Sequence, residues 1–425
     1  MNKAPDIISL GCRLNALESE TIRRHASDAS LDDLIVVNSC AVTNEAVRSS
    51  RQSVRRARRQ NPDAKIVVTG CAAQLHADAF SAMDEVDFVL GNQEKLEPKT
   101  WAALANSPTK KNLAKTQVNN IMSVRETAPH MIDGYGDRAR AFLQVQTGCD
   151  HRCTFCIIPF ARGQSRSVEI DAVVEQAKML VDFGHREIVI TGVDITSYGA
   201  DLEPRQDLGA LVATILDRVP DLYRLRLSSI DGAEIDPTLL DRIMHDQRIA
   251  ASLHISIQSG DNLILKRMKR RHTREDVIEL CHTIRAARPE FAFGADIIAG
   301  FPTETEAQFQ NSVDLIDDAG LQFVHVFPFS PRDGAPAARM PQTPGPIIKE
   351  RASRLRAKAD FAKQQFLDTL AGRIEDGLCE SGGLARLSNF VCAKIDTPQN
   401  LQPGDLVRLK LGARNADMVD AKPTP

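Results

Sequence analysis

Three cysteines within one short segment are the residues of this chain best suited to chemistry. Cys149, Cys153 and Cys156 lie in the run Gln146-Thr-Gly-Cys-Asp-His-Arg-Cys-Thr-Phe-Cys-Ile-Ile-Pro159. This spacing lets one loop bring three thiolates to a single inorganic site, and thiolates are the ligands of iron–sulfur clusters. Three cysteines on a cubane of four irons leave one iron open to another ligand. The alternatives are a zinc site with His151 as fourth ligand, or three unrelated buried thiols. Zinc ligands are usually spaced as two close pairs, so the spacing favours a cluster.

Three further cysteines occupy equivalent places in a repeated pattern. Cys12, Cys40 and Cys71 each follow a β-branched run and precede a helical stretch, and the runs are Asp6–Gly11, Leu34–Ser39 and Lys65–Gly70. Such alternation predicts βαβ units with a parallel sheet, in which the loops after the strands share one edge. We therefore expect the three cysteines to converge and to form a second cluster site. The alternative is that each is a small buried residue at a strand end.

A second series of strands begins after residue 140. The predicted strands are Ala141–Gln146, Glu187–Ile190, Tyr223–Leu227, Leu253–Ile257, Ala295–Ile298 and Gln322–Val326. Helical stretches lie between most of them, so the pattern predicts an open or partial (β/α)6 barrel with its chemistry at the carboxyl ends of the strands. Because the Cys149 loop follows the first of these strands, we expect it on that face.

The rest of the chain completes a mixed α/β organisation. Residues 107–136 are polar and lack periodicity, which predicts a linker. A proline-rich segment at 331–346 precedes a basic helix at 347–370, and the last fifty or so residues show the short alternating runs of a small all-β barrel. The predicted domains are an N-terminal parallel α/β domain at 1–106, the linker, the partial barrel at 137–368 and the β domain at 369–425.

Composition narrows the class of protein. The chain has 425 residues, nine cysteines and a formal net charge of −3. The length predicts about two to four domains. An odd number of scattered cysteines does not suggest a disulfide framework, and no apolar run resembles a signal peptide or a membrane span. We expect a cytoplasmic protein without a membrane partner, which must meet any polyanion through a local basic patch.

One helical stretch provides such a patch. Arginines crowd twelve residues after Cys40 without an acidic residue among them, at Arg48, Arg51, Arg55, Arg56, Arg58 and Arg59. A charge run is usually a solvated face, but the start of this run lies a few residues from a predicted metal ligand. We therefore expect phosphate contacts from these arginines. The basic run at 266–272 is a second candidate.

The loop of Cys149, Cys153 and Cys156 resembles the signature of the radical S-adenosylmethionine superfamily. The second trio resembles the N-terminal domain of one branch, the methylthiotransferases, and the terminal β domain is similar to the TRAM module. Four segments are most similar to the tRNA enzymes that modify threonylcarbamoyladenosine beside the anticodon, namely 141–149, 157–163, 224–230 and 326–332. Related branches act on isopentenyl-adenosine in tRNA or on an aspartate of a ribosomal protein.

The chain departs from this family in two places. Val168 follows Arg166-Ser167, where relatives tend to carry a second basic residue. The β domain holds 7 Lys/Arg and 7 Asp/Glu from Gly372 onward, so it has no net positive charge. To bind RNA, it would have to present its basic residues together on one surface.

The resemblance implies two [4Fe–4S] clusters and S-adenosylmethionine as cofactors. The Cys149 trio would bind the cluster that cleaves S-adenosylmethionine to a radical, which abstracts hydrogen from carbon 2 of adenine, while the Cys12 trio would bind the cluster that supplies or carries the methylated sulfur. The implied contacts to S-adenosylmethionine are Thr191, Gly192, Ser228, Ser229, Gln258 and Asp296. The implied partners are the anticodon loop of tRNA and an unidentified electron donor.

A different class of function stays open at this point. The chain could be a non-catalytic iron–sulfur or zinc protein that binds RNA. That both sites are one ligand short favours catalysis, because structural metal sites are normally closed.

Overall fold

The computed structural model describes residues 5–106, 114–125, 139–396 and 400–424. Two compact units share the chain: residues 1–132, 146–166 and 330–335 form the first, and residues 133–145, 167–329 and 336–425 form the second. The Cys149 loop therefore belongs to the same unit as Cys12, Cys40 and Cys71. The predicted domain bounds stay predictions. Of the predicted linker at 107–136, residues 107–113 and 126–136 lie outside the described residues.

A parallel sheet of five strands forms the centre of the first unit. Its strands, in spatial order, are Asp6–Ser9, Leu34–Ser39, Lys65–Gly70, Phe88–Leu90 and Thr116–Gln117. Side chains alternate between its two faces: Val37 and Val68 belong to one apolar cluster, and Val36 and Val67 to the other. The parallel α/β prediction is confirmed. The sequence pattern missed the last two strands because each is only two or three residues long.

Helices cover this sheet. They are Arg13–Asp28, Asn44–Gln60, Cys71–Leu75, Ala77–Ser81, Pro98–Ala105 and Ile158–Arg162, with 3-10 turns at Glu94–Leu96 and Ile121–Ser123. The arginine-rich helix starts where the Thr43 side chain accepts a hydrogen bond from Ala46 N. It buries Val47, Val54 and Ala57 on one stripe, which leaves the other side to its arginines.

Six parallel strands form the partial barrel of the second unit. They are Arg140–Gln144, Glu187–Thr191, Arg224–Leu227, Ser252–Gln258, Ala292–Ala299 and Phe323–Pro328, with the short Ser229–Ile230 beside the fourth. The helices are Ile170–Asp182, Leu208–Arg218, Pro237–His245, Asn262–Met268, Arg274–Ala287, Glu306–Asp318 and Gly345–Asp368. The predicted partial (β/α)6 barrel is confirmed. Strand Ser252–Gln258 alternates buried and half-buried residues, as expected for a strand with one face on the helices and one on the lumen.

The C-terminal segment closes into a small barrel, as predicted. Its strands, in spatial order, are Ile374–Glu380, Leu384–Leu387, Cys392–Ile395, Met418–Pro423 and Leu406–Asn415. Its core includes Leu387, Leu409 and Val419, all of which are fully buried. Within the described part of the chain, no helix is long and apolar enough to span a bilayer.

Glu187, the first residue of strand Glu187–Thr191, links the partial barrel to the C-terminal β barrel. The buried carboxylate accepts hydrogen bonds from Arg226 at 2.7 Å and from Arg224 at 3.1 Å. The two guanidinium groups continue to carbonyl oxygens of the β barrel, at Leu387 and Arg386. Burial would raise the pKa of Glu187, but the arginines outweigh it and lower that pKa. One carboxylate therefore fixes two cations that hold the two parts of the unit together.

We expect Glu187→Gln to lower the free energy of unfolding by about 3 kcal/mol, because two buried guanidinium groups lose their counter-charge. Denaturant titration of the second unit's transition measures it. Glu175→Gln is the matched control, since Glu175 forms exposed ion pairs with Lys178 and Arg218 and should cost less than about 1 kcal/mol. Equal effects of the two variants would contradict this role of Glu187.

Candidate metal centres

Cys12, Cys40 and Cys71 converge at the carboxyl edge of the first sheet. Cys40 directly follows Ser39, Cys71 directly follows Gly70, and the two strand ends are paired at Ser39 and Gly70. Cys12 comes three residues after the neighbouring strand ends, at the start of helix Arg13–Asp28. Cys40 and Cys71 are buried and Cys12 is exposed. The shared edge that predicted this convergence is therefore present.

Two glycines let the backbone close around these thiols. A β-carbon at Gly11 would lie 2.7 Å from Cys40 Sγ, and one at Gly70 would lie 2.3 Å from the carbonyl oxygen of Ser39. Both glycines have φ near +90°, a region that side chains disfavour. The close contact at Gly11 brings the Cys40 sulfur against the residue that precedes Cys12.

The electrostatics of the edge agree with this proximity. Burial raises the pKa of the Cys40 thiol, and the charges of Cys71 and Cys12 raise it further. All nine cysteines are described, and no disulfide joins any of them. Three thiols at one sheet edge fit an iron–sulfur cluster, and not a carboxylate-preferring ion.

A buried polar cluster lies beneath this edge, and sequence reasoning missed it. Glu18 accepts hydrogen bonds from Lys95 Nζ at 2.7 Å and from both terminal nitrogens of Arg162, at 2.6 and 3.0 Å. All three side chains are at most 4 % exposed. Burial would raise the pKa of Glu18, but Arg162 and Lys95 lower it to about 2. Arg162 lies in the segment 157–163 that carried the family resemblance, whereas nothing in the sequence singled out Glu18 or Lys95.

The second trio lies on a loop that the backbone closes at its base. Cys149 N donates to the carbonyl oxygen of Gly163 at 3.1 Å, and Cys156 N donates to that of Cys153 at 3.1 Å. A β-carbon at Gly148, which has a φ of +77°, would lie only 1.8 Å from the carbonyl oxygen of Gln164. Glycine is therefore required immediately before the first cysteine.

The zinc alternative has partial geometric support. A ring nitrogen of His151 and Cys149 Sγ lie within 4.8 Å of each other, so these two groups are close enough to share a metal ion. The three cysteines are half-buried. Local geometry alone leaves cluster and zinc both possible at this loop.

Most predicted S-adenosylmethionine contacts lie at carboxyl ends of strands in the second unit. Thr191 is the last residue of strand Glu187–Thr191, and Gly192 follows it. Ser228 follows strand Arg224–Leu227, and Ser229 begins the short strand Ser229–Ile230. Gln258 is the last residue of strand Ser252–Gln258. These ends share one rim in a parallel barrel. Gln258 has a φ of +78°, a conformation that costs a non-glycine residue about 1 kcal/mol. Strained residues of this kind are concentrated at functional sites. Whether these residues bind the cofactor stays a prediction.

Asp296 lies within a strand rather than at its end, and whether it contacts S-adenosylmethionine stays a prediction. It is the fifth residue of strand Ala292–Ala299, and its carboxylate bonds to His254 Nε2 at 2.9 Å and His325 Nδ1 at 3.3 Å. Gly294 leaves the space for His254, because a β-carbon there would lie 2.7 Å from His254 Nδ1. Burial would raise the pKa of Asp296, but the two imidazoles lower it strongly. Sequence reasoning missed both histidines, whose only signal is their position on neighbouring strands.

The arginine-rich helix divides into structural and exposed residues. Arg58 contradicts the prediction of a phosphate contact, because it bonds to Asp87 at 2.6 Å and to the carbonyl oxygens of Pro62, Ala64 and Glu85. The guanidinium of Arg51 lies over the ring of Phe80.

Four arginines of this helix, Arg48, Arg55, Arg56 and Arg59, are exposed. Arg48 faces Glu45 at 4.0 Å and Arg55 faces Glu85 at 3.8 Å, so neighbouring acidic groups do exist. Exposed pairs at such distances are weak and leave the arginines available for another anion.

Comparison with known proteins adds evidence that geometry cannot supply. A family model described as the Radical SAM superfamily matches residues 143–316, and one described as Uncharacterized protein family UPF0004 matches residues 5–91. The chain is 49% identical over 395 residues to the threonylcarbamoyladenosine tRNA methylthiotransferase MtaB of Rickettsia prowazekii, covering 93% of this chain and 92% of that protein. The chain belongs to the radical S-adenosylmethionine methylthiotransferase family.

Other relatives agree with this membership. The chain is 37% identical to MtaB of Bacillus subtilis, over 84% of this chain and 80% of that protein. It is 31% identical to tRNA-2-methylthio-N(6)-dimethylallyladenosine synthase of Staphylococcus epidermidis, over 88% of this chain and 74% of that protein. The radical S-adenosylmethionine methyltransferase TsrM of Kitasatospora setae has a similar fold, with a TM-score of 0.54, 16% identity and 82% of each chain covered.

Family membership confirms the predicted cofactors, which are S-adenosylmethionine and two [4Fe–4S] clusters. It therefore decides against zinc where the local geometry did not. The residues of both trios fit such clusters, since each supplies three thiols on closely folded backbone. The assignment of each cluster to its cysteines stays a prediction.

We expect anaerobic reconstitution to load about eight irons per wild-type chain and about four in Cys71→Ala or Cys153→Ala, because each change removes one ligand of one cubane. Iron and sulfide analysis measures this. The control is Cys392→Ala, a half-buried cysteine of the β barrel, which should keep about eight. Full loading of Cys71→Ala would contradict the first trio as a cluster site.

Proposed function

We propose that this protein is a tRNA methylthiotransferase that adds a methylthio group to carbon 2 of N6-threonylcarbamoyladenosine at position 37. The observation that carries this proposal is the 49% identity, over nearly the whole chain, to an enzyme named for that nucleoside. Identity to the dimethylallyladenosine enzyme is lower, at 31%. The threonylcarbamoyl substrate is therefore preferred within the family.

Each cysteine trio has its own role in this proposal. Cys149, Cys153 and Cys156 hold one cluster, and Cys12, Cys40 and Cys71 hold the other. With both clusters and S-adenosylmethionine bound, the cofactors supply the radical chemistry that exchanges a C–H bond of adenine for a C–S bond. The protein's own residues fix the ligand loops: Gly11, Gly70 and Gly148 permit the close backbone contacts around the sulfurs.

The remaining polar residues bind and orient the reactants. Thr191, Gly192, Ser228, Ser229 and Gln258 line the strand ends where S-adenosylmethionine is expected. The carboxylate of Asp296 is oriented by two imidazoles and is held ionised, so it serves as a fixed hydrogen-bond acceptor.

We place the RNA at the exposed arginines of helix Asn44–Gln60. Arg48, Arg55, Arg56 and Arg59 are exposed on a helix that begins four residues after Cys40. Phosphate contacts from such a surface would hold an anticodon loop, whose unstacked bases are accessible without opening a duplex. The β domain at 369–425 has a TRAM-like role in RNA binding. The enzyme acts in the cytoplasm with a reducing electron donor of unknown identity.

We expect a deletion strain to lose 2-methylthio-N6-threonylcarbamoyladenosine from bulk tRNA and to accumulate the unmethylthiolated nucleoside. Mass spectrometry of tRNA hydrolysates measures both species. Complementation with the wild-type gene should restore the product, and Cys153→Ala should not. Loss of the dimethylallyl product, or of a ribosomal-protein modification with tRNA unchanged, would reassign the substrate to one of the sibling activities.

We expect the triple variant Arg55→Glu, Arg56→Glu and Arg59→Glu to bind substrate tRNA at least tenfold more weakly. Each lost phosphate contact should also reduce the slope of log affinity against log salt by about 0.7. Fluorescence anisotropy at several salt concentrations measures both quantities. Lys349→Glu with Arg356→Glu, on the exposed side of helix Gly345–Asp368, is the control. Similar losses in both variants would show a general charge effect and refute a binding site on the arginine-rich helix.

A further inference from the structure

Arg162 joins the two cysteine segments through side-chain hydrogen bonds within the first unit. It ends the short helix Ile158–Arg162, directly before Gly163, whose carbonyl oxygen holds Cys149 N. Its guanidinium reaches Glu18, on the helix that begins after Cys12, and Asn15 Oδ1 at 2.7 Å. One side chain thus connects the base of one cysteine loop with the helix beside the other trio.

Asn92 makes a second connection between the same parts. Its Nδ2 donates to the carbonyl oxygen of Ala161 at 2.8 Å and lies 3.9 Å from Cys71 Sγ. Its Oδ1 accepts from Lys95 Nζ at 2.7 Å. The side chain is 5 % exposed. We call Glu18, Asn92, Lys95 and Arg162 the buried bridge.

The charges of the buried bridge do not cancel. Lys95 and Arg162 are cations, whereas Glu18 is the one anion bonded to them among the described residues, which leaves one surplus positive charge. A surplus buried charge is costly unless an opposite charge lies close by. Burial would lower the pKa of Arg162, yet the negative charges of Cys71, Glu18 and Cys12 raise it well above its ordinary value. Asn92 connects this surplus charge to Cys71, because its Oδ1 accepts a hydrogen bond from Lys95 Nζ and its Nδ2 lies 3.9 Å from Cys71 Sγ.

We propose that the buried bridge positions the Cys12–Cys40–Cys71 cluster and that its surplus positive charge favours the reduced state of that cluster. This inference rests on the proposed assignment of a cluster to these cysteines. Three thiolates outweigh the positive core of an oxidised cubane, and reduction adds a further negative charge. A fixed cation in a low-dielectric interior stabilises the more negative state, because nearby charges interact strongly there.

Arginine is suited to this position by its shape as well as by its charge. The planar guanidinium bonds to both oxygens of Glu18 and to Asn15 at the same time. Lysine keeps the charge but cannot make three bonds in one plane. Charge and geometry can therefore be separated by comparing Arg162→Gln with Arg162→Lys.

The test uses the full-length chain with Cys149, Cys153 and Cys156 replaced by alanine, so that only one cluster is present. Iron and sulfide content and the reduction midpoint, followed by electron paramagnetic resonance, are measured after anaerobic reconstitution. If this triple-alanine protein binds no cluster, Cys12, Cys40 and Cys71 are not a cluster site, and the role of the buried bridge is not what has failed. That outcome distinguishes failure of the proposed function from failure of the buried bridge.

We expect Arg162→Gln to lower the reduced fraction at a fixed potential at least tenfold, which corresponds to a midpoint about 59 mV more negative for one electron. Arg162→Lys should change the reduced fraction less than about threefold, since the charge stays. Glu18→Gln removes the one anion of the bridge and should shift the midpoint in the opposite direction.

Arg152→Gln is the matched control, because Arg152 is exposed and bonds to the carbonyl oxygens of Cys149 and His151 in the same loop. It should leave the midpoint unchanged. Loss of iron from Arg162→Gln, but not from Arg162→Lys or Arg152→Gln, would equally support the need for the charge. An unchanged midpoint in an iron-loaded Arg162→Gln, shifts of the same sign in Arg162→Gln and Glu18→Gln, or iron loss from all three arginine variants would overturn the inference.

Discussion

Parallel strand pairing is the constraint on which the first unit depends. Ser39 and Gly70 are register partners, so the residues that follow them, Cys40 and Cys71, leave the sheet side by side. A neighbouring parallel strand brings Cys12 to the same edge. The backbone hydrogen bonds of the sheet fix where the three strands end and in which direction the chain leaves them, so the loops need little further ordering to bring the cysteines together. Glycines at positions 11 and 70 then allow the closeness that the sulfurs require.

Buried charge is the second organising feature. Glu18 in the first unit and Glu187 in the second each lie between two buried cations. Their consequences differ. The arginines at Glu187 continue to backbone carbonyls of the β barrel, and so they serve architecture. The cations at Glu18 lie next to a cysteine of the first trio, because Asn92 bonds to Lys95 and lies 3.9 Å from Cys71 Sγ.

The arginine-rich helix illustrates how a single sequence feature separates into two roles. Arg58 turns toward the sheet and satisfies three backbone carbonyls as well as Asp87. Arg55, Arg56 and Arg59 remain on the outside, where charge is available to a polyanion. A helix period of 3.6 residues places neighbours in sequence on different sides, so density of charge alone could not distinguish them.

The sequence by itself determined the two cysteine trios, the parallel sheet and the partial barrel. Close spacing limits how far three cysteines on one loop can separate, and strand–helix alternation leaves few possible topologies. Only the tertiary structure decided that Lys95 and Glu18 meet Arg162, that Arg58 is structural, and that Asp296 is held by His254 and His325. These contacts join residues 29 to 144 positions apart along the chain. The local sequence pattern does not predict such pairs, because each pair depends on how whole helices and strands pack against one another.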